Sequence, residues 1–312
     1  MILRHNPHSF LTGDDPFISL VPLHAEPRGS DHEVVFERHH EGYIGKPHGG
    51  LAMGLCLDAW LRASTDPYPM TARFKFGGSG LSLGETARFS VARNGSDAEL
   101  RAEISKEGDK TPYLRAELGT AAPNDLAVGV PQKPPSDTRL LPYYRNCFVC
   151  GHYRTIPGLK RRFHFHPSEE GCFVTVPWGE GDDRDRGRLF LNGKGELHPA
   201  VLSSLFDENT GWAGFMAKRQ AGLSVKLDVT ILRPVSVDER LLFVGRPTGI
   251  RGNPRSPRFF LAAGSVLALG ADGEPELVAH GKGEWIIFDH LTQQIKEHLL
   301  PENDWEWVFV AE

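Results

Sequence analysis

The sequence lacks the features that mark membrane-spanning, disulfide-stabilised and nucleic-acid-binding proteins. No apolar run approaches the roughly 18 residues of a membrane-spanning helix, and residues 1–5 show no signal-peptide pattern. Only four of the 312 residues are cysteine, too few for a disulfide scaffold, so we expect a cytoplasmic protein. The 40 Asp and Glu residues outnumber the 35 Lys and Arg residues, and the net charge of −5 argues against a nucleic-acid partner.

What the chain does contain is typical of a turn-rich globular protein. Hydrophobic residues make up 40% of the sequence and charged residues 24%, which is the balance of a folded rather than a disordered chain. The 34 glycines and 23 prolines indicate many turns, and therefore many strands. Because the length is about twice that of a typical domain, the sequence predicts two domains or one repeated unit.

A repeat surrounds two histidines that lie 150 residues apart. Each histidine follows a glycine by three residues and precedes small residues, an apolar helical stretch and an acid. The shared positions are Gly45, His48 and Asp58 in the first copy and Gly195, His198, Asp207 and Glu208 in the second. Alternating apolar residues downstream predict strands. Each copy is therefore expected to hold a lead-in strand, one helix of roughly five turns and four further strands.

One helix on an antiparallel sheet forms a layered α+β unit, in which one edge strand stays open. Two copies joined edge to edge would cover that edge. We expect the first domain at residues 1–121, a Pro-rich linker at 122–142 and the second domain at 143–289. Residues 290–312 predict a C-terminal helix and a tail that packs across one domain without carrying chemistry.

The repeated motif resembles that of the hotdog-fold thioesterases of the phenylacetic-acid-degradation group. Their pattern is Asn-x-x-Gly-x-x-His-Gly-Gly, an apolar helix, and an acid nine residues after the histidine. The second copy adds Asn146-Cys147-Phe-Val-Cys150-Gly151, which also resembles this group. The resemblance implies two hotdog domains in one chain, each an antiparallel sheet wrapped around a long central helix, forming a pseudo-dimer. It further implies an acyl thioester of coenzyme A or a carrier protein as substrate, with no metal and no cofactor apart from the coenzyme A of the substrate.

Thioester hydrolysis needs a carboxylate, as nucleophile or general base, and a hydrogen-bond donor for the developing oxyanion. The first N–H groups of a helix are such donors. Nine or ten residues of helix separate acid and helix start by about 14 Å, which is too far for one reacting carbonyl. The acid of one copy must therefore face the helix start of the other copy, which predicts two crossed sites.

The two crossed sites are not equivalent. The first pairs Asp207 with His48 and Gly49, and we predict these three as the catalytic residues. The second pairs Asp58 with His198, where Pro199 has no N–H to donate.

The residues around these acids also bear on which of the two crossed sites is catalytic. Asp58 lies ten residues after its histidine, one helical step from the family position, and Arg62 at i+4 favours an ordinary surface ion pair. Glu208 is the alternative acid of the first site. The asparagine of the family motif is Gly42 in the first copy and survives as Asn192 in the second.

The remaining candidate residues are assigned to substrate binding, to helix capping or to a metal site that we disfavour. The predicted substrate-binding residues are Gly50, Ser203, Ser204, Asn192, His198 and Arg255. Both motif histidines could instead cap their helices. A zinc site built on Cys147, Cys150 and His152, with His164 and His166 nearby, is disfavoured because one Cys-x-x-Cys pair supplies too few well-spaced ligands.

Three functions follow, in order of preference. The first is hydrolysis of an acyl thioester at one asymmetric site between the halves. The alternatives are a non-catalytic module that binds an acyl group or coenzyme A, and a hydratase or dehydratase acting on a thioester or small polyketide-like substrate. Association of these tandem chains into a homo-oligomer stays open.

Overall fold

Both halves of the chain contribute to one antiparallel sheet, which has 13 strands within the described residues. The computed structural model describes residues 8–26, 29–78, 80–93, 99–120, 138–168, 171–252, 258–270, 274–301 and 307–309. The strands of the first half are β1 (Leu20–Glu26), β2 (Gly29–Val35), β3 (Glu41–Tyr43), β4 (Lys46–Pro47), β5 (Met70–Phe76), β6 (Thr86–Arg93), β7 (Glu99–Lys106) and β8 (Leu114–Thr120). Those of the second half are β9 (Arg139–Leu140), β10 (Tyr143–Tyr144), β11 (His164–Ser168), β12 (Gly171–Trp178), β13 (Gly222–Ile231), β14 (Leu241–Arg251), β15 (Phe259–Leu269), β16 (Pro275–Ile287) and β17 (Leu299–Leu300).

The halves meet edge to edge, as the sequence predicts. The order in the large sheet is β1-β2-β6-β7-β8-β5-β13-β16-β15-β14-β12-β11-β9, so β5 of the first half pairs with β13 of the second. Phe74 lies opposite Leu227 in this antiparallel pair. The junction leaves neither central strand with an open edge, which removes the liability of an unpaired strand.

Each half differs from the predicted order at its beginning. A hairpin of two strands, rather than a single lead-in strand, precedes each long helix: β1 and β2 in the first half, β11 and β12 in the second. Four strands follow each helix, as predicted.

Two long helices pack against the sheet and against each other. The helices are α1 (Gly49–Ala63), α2 (Asp183–Gly187), α3 (Pro199–Lys218) and α4 (Asp289–Lys296). The long helix of the second half, α3, has 20 residues and matches the predicted length, whereas α1 has 15 and is about one turn shorter.

Small residues let α1 and α3 approach closely where they cross. A methyl group on Gly50 would lie 2.2 Å from Cα of Ser204, and one on Gly54 would lie 2.6 Å from Cβ of Ala200. Positions 50 and 200 differ by 150, as do positions 54 and 204. The contact of Gly50 with Ser204 is therefore the equivalent, in the other half, of the contact of Gly54 with Ala200. The halves are therefore related by a pseudo-two-fold axis through the crossing, and residue n of α1 corresponds to residue n + 150 of α3.

The C-terminal segment packs onto the second half. Helix α4 follows β16, and β17 pairs with β10, where Tyr144 lies opposite Leu299. Most of the predicted linker, namely residues 122–137, lies outside the described residues. Its last part forms β9, which pairs with β11 at the edge of the sheet. Among the described residues no helix is long and apolar enough to cross a membrane.

Candidate active site

Each motif histidine caps the helix that it precedes. Nδ1 of His48 accepts a hydrogen bond from the Gly50 N–H at 3.0 Å, and Nδ1 of His198 accepts one from the Ala200 N–H at 3.0 Å. Because a backbone amide always supplies the hydrogen, both Nδ1 atoms present a lone pair and the ring proton resides on Nε2. The simpler prediction for these histidines, a helix cap, is confirmed for both.

The protonated nitrogen of each histidine points at an acid on the other helix. Nε2 of His48 lies 3.3 Å from Oε2 of Glu208, and Nε2 of His198 lies 3.1 Å from Oδ1 of Asp58. Each of these acids stands ten residues after the histidine of its own half. Glu208, not Asp207, is therefore the counterpart of Asp58.

A short turn in each half donates a further hydrogen bond to the same acid. The thiol of Cys147 donates to Oε2 of Glu208 at 3.2 Å. In the first half, the hydroxyls of Ser9 and Thr12 donate to Asp58 at 3.0 and 2.6 Å. Each buried acid thus receives hydrogen bonds from the opposite helix start and from a turn.

The two turns have the same backbone. The Gly13 N–H donates to the Ser9 carbonyl at 2.8 Å, and the Gly151 N–H donates to the Cys147 carbonyl at 2.9 Å. Ser9-Phe-Leu-Thr12-Gly13 is thus the counterpart of Cys147-Phe-Val-Cys150-Gly151, with hydroxyls in place of thiols. Sequence analysis missed this correspondence, although the shared Phe and Gly at fixed spacing were a usable signal.

The ion pair predicted for Asp58 at the surface is buried, which corrects that expectation. Only 1% of the Asp58 side chain is exposed, and Nε of Arg62 lies 2.8 Å from its Oδ2. Burial alone would raise the pKa of Asp58, but the hydrogen bond from His198 and the charge of Arg62 outweigh it and hold the pKa below its usual value. Asp58 is therefore a structural group that is charged at neutral pH.

Asp207 is the acid that has no counterpart in the first half, where Leu57 occupies the equivalent position. Its Oδ1 accepts a hydrogen bond from the Ser224 hydroxyl at 2.8 Å. A methyl group on Gly49 would lie 3.0 Å from its Oδ2, so this carboxylate faces the start of α1, as the crossed-site prediction requires. Burial raises the pKa of Asp207, and the nearby His48 and the bond from Ser224 offset only part of that effect.

The amide of Gly49 is available as a donor beside this carboxylate. Gly49 is the first residue of α1, where N–H groups have no partner within the helix. Among the described residues no group accepts a hydrogen bond from it. An acid and a free N–H at the positive end of a helix are thus adjacent.

The second crossed site lacks these elements. Pro199 stands at the position of Gly49 and has no N–H, while Leu57 stands at the position of Asp207. Arg62 stands at the position of Trp212 and pairs with the buried acid. Neither an oxyanion donor nor a second carboxylate is therefore present at that end of the helix pair.

A cavity of about 520 Å³ opens beside Asp207 and Gly49. Its polar lining comprises Lys46, His48, Cys147, Cys150, Asp207, Glu208 and Ser224, and its aromatic lining Phe76, Tyr113, Trp212, Phe215, Trp285, Phe288 and Phe309, together with Tyr43 and Tyr144. Burial, together with the charge of Asp207, raises the pKa of Tyr113. The volume and the largely apolar walls are typical of a site for a small organic ligand.

The C-terminal segment supplies part of this wall. Ile295, Leu299 and Phe309 line the cavity, and the Phe309 ring stacks on Trp212 with centroids 6.1 Å apart. The tail packs across one domain, as predicted, but it also bounds the candidate site, which was not expected.

Of the predicted site residues, the structure brings His48, Gly49 and Asp207 together at the cavity. Gly50 and Ser204 meet at the helix crossing instead. The Ser203 hydroxyl donates to the carbonyl of Gly50 at 3.2 Å, so it too belongs to the crossing.

The other predicted substrate-binding residues lie elsewhere. Asn192 is buried in a turn, where its amide donates to Glu196 at 2.8 Å. His198 serves the second crossed site. Arg255 falls outside the described residues.

Gly42, at the family's asparagine position, does line the cavity. A methyl group on Gly42 would lie 2.6 Å from Cα of His48. No larger side chain therefore fits there without movement of the chain, and the first half cannot carry the family's asparagine in this arrangement.

Three groups of ligand type meet at the cavity wall, but their protons disfavour a metal. The atoms Nε2 of His48, Sγ of Cys147 and Oε2 of Glu208 lie within 4.8 Å of one another. A metal on Nε2 would require the ring proton to move to Nδ1, where the Gly50 N–H already points. The three groups form a hydrogen-bonded network.

The histidines that the sequence offered as zinc ligands have other contacts. His166 bonds with Thr138 and Thr175 on the sheet, and His152 packs on Tyr143. The Cys-x-x-Cys pair faces the cavity instead.

Comparison with solved structures identifies relatives of the fold. The chain is similar to the dehydratase domain from the CurF module of curacin polyketide synthase, with 11% identity, a TM-score of 0.54, and coverage of 91% of this chain and 100% of that chain. It is similar to the dehydratase domain of PpsC from Mycobacterium tuberculosis, solved in complex with C12:1-CoA, with 14% identity, a TM-score of 0.52, and coverage of 91% and 100%. It is also similar to a protein assigned as a thioesterase II from Thermobifida fusca, with 16% identity, a TM-score of 0.52, and coverage of 86% and 96%.

These likenesses confirm the predicted fold, two hotdog domains in one chain. No protein-family model matches the sequence, and neither does any curated protein.

Proposed function

We propose that the chain hydrolyses an acyl thioester at one asymmetric site between its two hotdog halves. The observation that carries this proposal is the contact between Asp207 and Gly49, a carboxylate of one half and a free helix-start amide of the other, in the wall of a cavity. Both groups are replaced in the second crossed site. The likeness to a thioesterase II structure supports an acyl thioester of coenzyme A or a carrier protein as the substrate.

The chemistry needs only these two groups and water. The thioester carbonyl lies between Asp207 and Gly49, with its oxygen on the Gly49 N–H. Asp207 either takes a proton from an attacking water or attacks the carbonyl carbon itself, and the developing oxyanion is stabilised by the amide and the helix dipole. Collapse of the intermediate expels the thiolate, and the free acid follows directly or after water hydrolyses the acyl-enzyme.

His48 and Glu208 position this site without acting on the substrate. The cap from His48 fixes the first turn of α1 and therefore the direction of the Gly49 N–H. Glu208 accepts hydrogen bonds from His48 and Cys147, which fix the histidine ring on the partner helix. His48 has no free basic nitrogen, so we assign it a positioning role, not that of a general base.

The test compares two aspartates at related places. Asp207→Asn removes the base and should lower kcat for a coenzyme A thioester by about 10²- to 10⁴-fold. Asp58→Asn, at the second crossed site, should leave turnover of the folded enzyme nearly unchanged. The opposite pattern would reject this assignment.

A hydratase or dehydratase is the second candidate, since two of the similar structures are dehydratase domains. The fixed tautomer of His48 speaks against it, because both ring nitrogens are engaged and no other histidine of the described residues lines the cavity. An enoyl thioester assayed beside a saturated one separates the two candidates: water addition without thiol release would favour the second. Binding of both thioesters without turnover would favour a non-catalytic module.

A further inference from the structure

The two equivalent turns differ in one chemical respect. Cys147 and Cys150 occupy the positions that Ser9 and Thr12 occupy in the other half. All four side chains can donate a hydrogen bond. The hydroxyls of the first turn donate to Asp58, and the thiol of Cys147 in the second turn donates to Glu208. A hydroxyl therefore suffices for that bond. Thiols are present only at the turn that borders the cavity, so they offer chemistry that the shared structural role does not require.

The turn holds the two thiols together. Its Gly151 N–H bonds to the Cys147 carbonyl at 2.9 Å, which is one turn of helix, so side chains three residues apart lie on the same face with Cβ atoms roughly 5–6 Å apart. The Cys150 N–H also donates a hydrogen bond to Sγ of Cys147 at 3.4 Å, which ties the two residues together directly. A disulfide needs Cβ atoms about 3.5–4.5 Å apart, so the backbone of the turn must tighten by roughly 1–2 Å as the bond forms.

Backbone amides favour the thiolate of Cys147. Its Sγ accepts hydrogen bonds from the N–H groups of Val149 at 3.3 Å and Cys150 at 3.4 Å. Burial and the nearby charge of Glu208 raise the pKa of Cys147, but the interactions with Cys150 and His48 outweigh them, so the pKa lies below that of an ordinary thiol. The pKa of Cys150 is raised, chiefly by burial. Cys147 is thus suited to attack an oxidant, and Cys150 is suited to attack the oxidised sulfur of Cys147 afterwards.

Both thiols can be reached from the cavity. Each is almost fully buried from bulk solvent, yet each lines the wall beside Glu208. A small oxidant that enters the cavity meets them directly, whereas Cys56 and Cys172 do not line it.

We propose that Cys147 and Cys150 form an oxidisable dithiol in the wall of the candidate active site, converted to a disulfide by peroxides. The Cys147 thiolate attacks one peroxide oxygen, which gives a sulfenic acid and, after protonation, water. The Cys150 thiol then attacks that sulfur and expels the second oxygen as water. In sum, two thiols and one hydrogen peroxide give a disulfide and two waters, and an external dithiol reverses the change.

Oxidation changes the site through Glu208. A disulfide has no S–H, so Glu208 loses one of its two donors and the support of His48 is weakened. Because His48 caps the helix start that carries Gly49, turnover should fall. This consequence rests on the proposed function, whereas the disulfide itself does not.

The chain supplies its own matched control. In the double variant Cys147→Ser, Cys150→Thr, the turn receives the residues that its counterpart already uses, so the hydrogen bond to Glu208 can form but no disulfide can. Both proteins retain Cys56 and Cys172, so oxidation at those positions is common to both. Wild type and variant are treated with hydrogen peroxide, with and without later dithiothreitol, and digested for peptide mass mapping under alkylating conditions.

We expect wild type to lose two hydrogens in a peptide that joins Cys147 to Cys150, reversibly, and its turnover to fall at least fivefold relative to its own reduced form. The variant should show neither change. Free thiols at both positions after treatment, or a disulfide that maps elsewhere, would overturn the proposal. Equal loss of turnover in both proteins would refute the link to Glu208. If neither protein hydrolyses thioesters, the peptide map still decides whether the disulfide forms.

Discussion

Replacing each buried aspartate by asparagine should change stability in opposite directions. Asp58 accepts hydrogen bonds from His198, Ser9 and Thr12 and pairs with Arg62, and its side chain is 1% exposed. The variant Asp58→Asn would leave the guanidinium buried without a counter-charge. Removing one member of a buried pair typically costs 3–5 kcal/mol, and because the amide oxygen can still accept two of the three donated hydrogen bonds, we expect about 3 kcal/mol here.

The same substitution at Asp207 should stabilise the protein. Burial raises the pKa of Asp207, so the folded state disfavours the charged carboxylate at neutral pH. An amide of the same shape removes that cost and can still accept the hydrogen bond from Ser224. A rise in stability together with a loss of turnover is the behaviour expected of a group kept for function.

Thermal unfolding of the wild type and the two variants measures both effects. At about 2.1 cal/mol/K of unfolding entropy per residue, a loss of about 3 kcal/mol in this 312-residue chain should lower the Tm of Asp58→Asn by roughly 5 °C. The pKa of Asp58 is depressed in the folded state, so its contribution is present at neutral pH and is lost as the pH falls below the usual range of a carboxyl group. The gap between Asp58→Asn and wild type should therefore narrow in acid. A Tm for Asp207→Asn below that of wild type, or a Tm for Asp58→Asn at or above that of wild type, would refute this reasoning.

Three further predictions concern rate and access. Activity should be lost in acid when Asp207 is protonated, and burial raises the pKa of Asp207. The acid limb of the pH–rate profile should therefore have its midpoint above the pKa of an ordinary aspartate. A midpoint at the ordinary aspartate pKa would contradict the assignment of Asp207. Gly49→Ala places a methyl group 3.0 Å from Oδ2 of Asp207, where the thioester must fit, and should lower kcat at least tenfold with a small change in Tm. Gly50→Ala meets a helix backbone instead and should chiefly lower Tm. Equal kcat values for the two would be evidence against a reaction between Gly49 and Asp207. Trp212→Arg copies Arg62 of the second crossed site and should abolish turnover by pairing with Glu208. Persistent activity of the folded variant in steady-state kinetics would show this idea wrong.

The architecture could be predicted from the sequence because the repeat is marked by clear local patterns in both halves. A histidine three residues after a glycine, followed by an apolar helix, recurs at an offset of 150, and the strands downstream alternate. The crossed sites followed from helix geometry alone, since an acid nine or ten residues after the histidine lies about 14 Å from its own helix start and cannot serve it. The additional hairpin strand in each half was not predicted.

The details of the site depended on contacts across the two halves. Adjacent acids at 207 and 208 made the counterpart of Asp58 ambiguous, because Asp207 matches the family's spacing whereas Glu208 matches the offset of 150; the bond from His48 decides for Glu208. The turn at Ser9 escaped notice because hydroxyls replace thiols and because its offset from Cys147 is 138, not 150. The second half therefore has 12 more residues between its turn and its long helix than the first half has.

The central claim is that one thioester carbonyl fits between Asp207 and Gly49 and nowhere at the second crossed site. A crystal structure with a non-hydrolysable ketone analogue of an acyl-coenzyme A tests it most directly. We expect the ketone oxygen about 2.7–3.1 Å from the Gly49 nitrogen, with the carbonyl carbon facing the Asp207 carboxylate. An analogue bound between Asp58 and His198, or with its carbonyl remote from Gly49, would contradict the account.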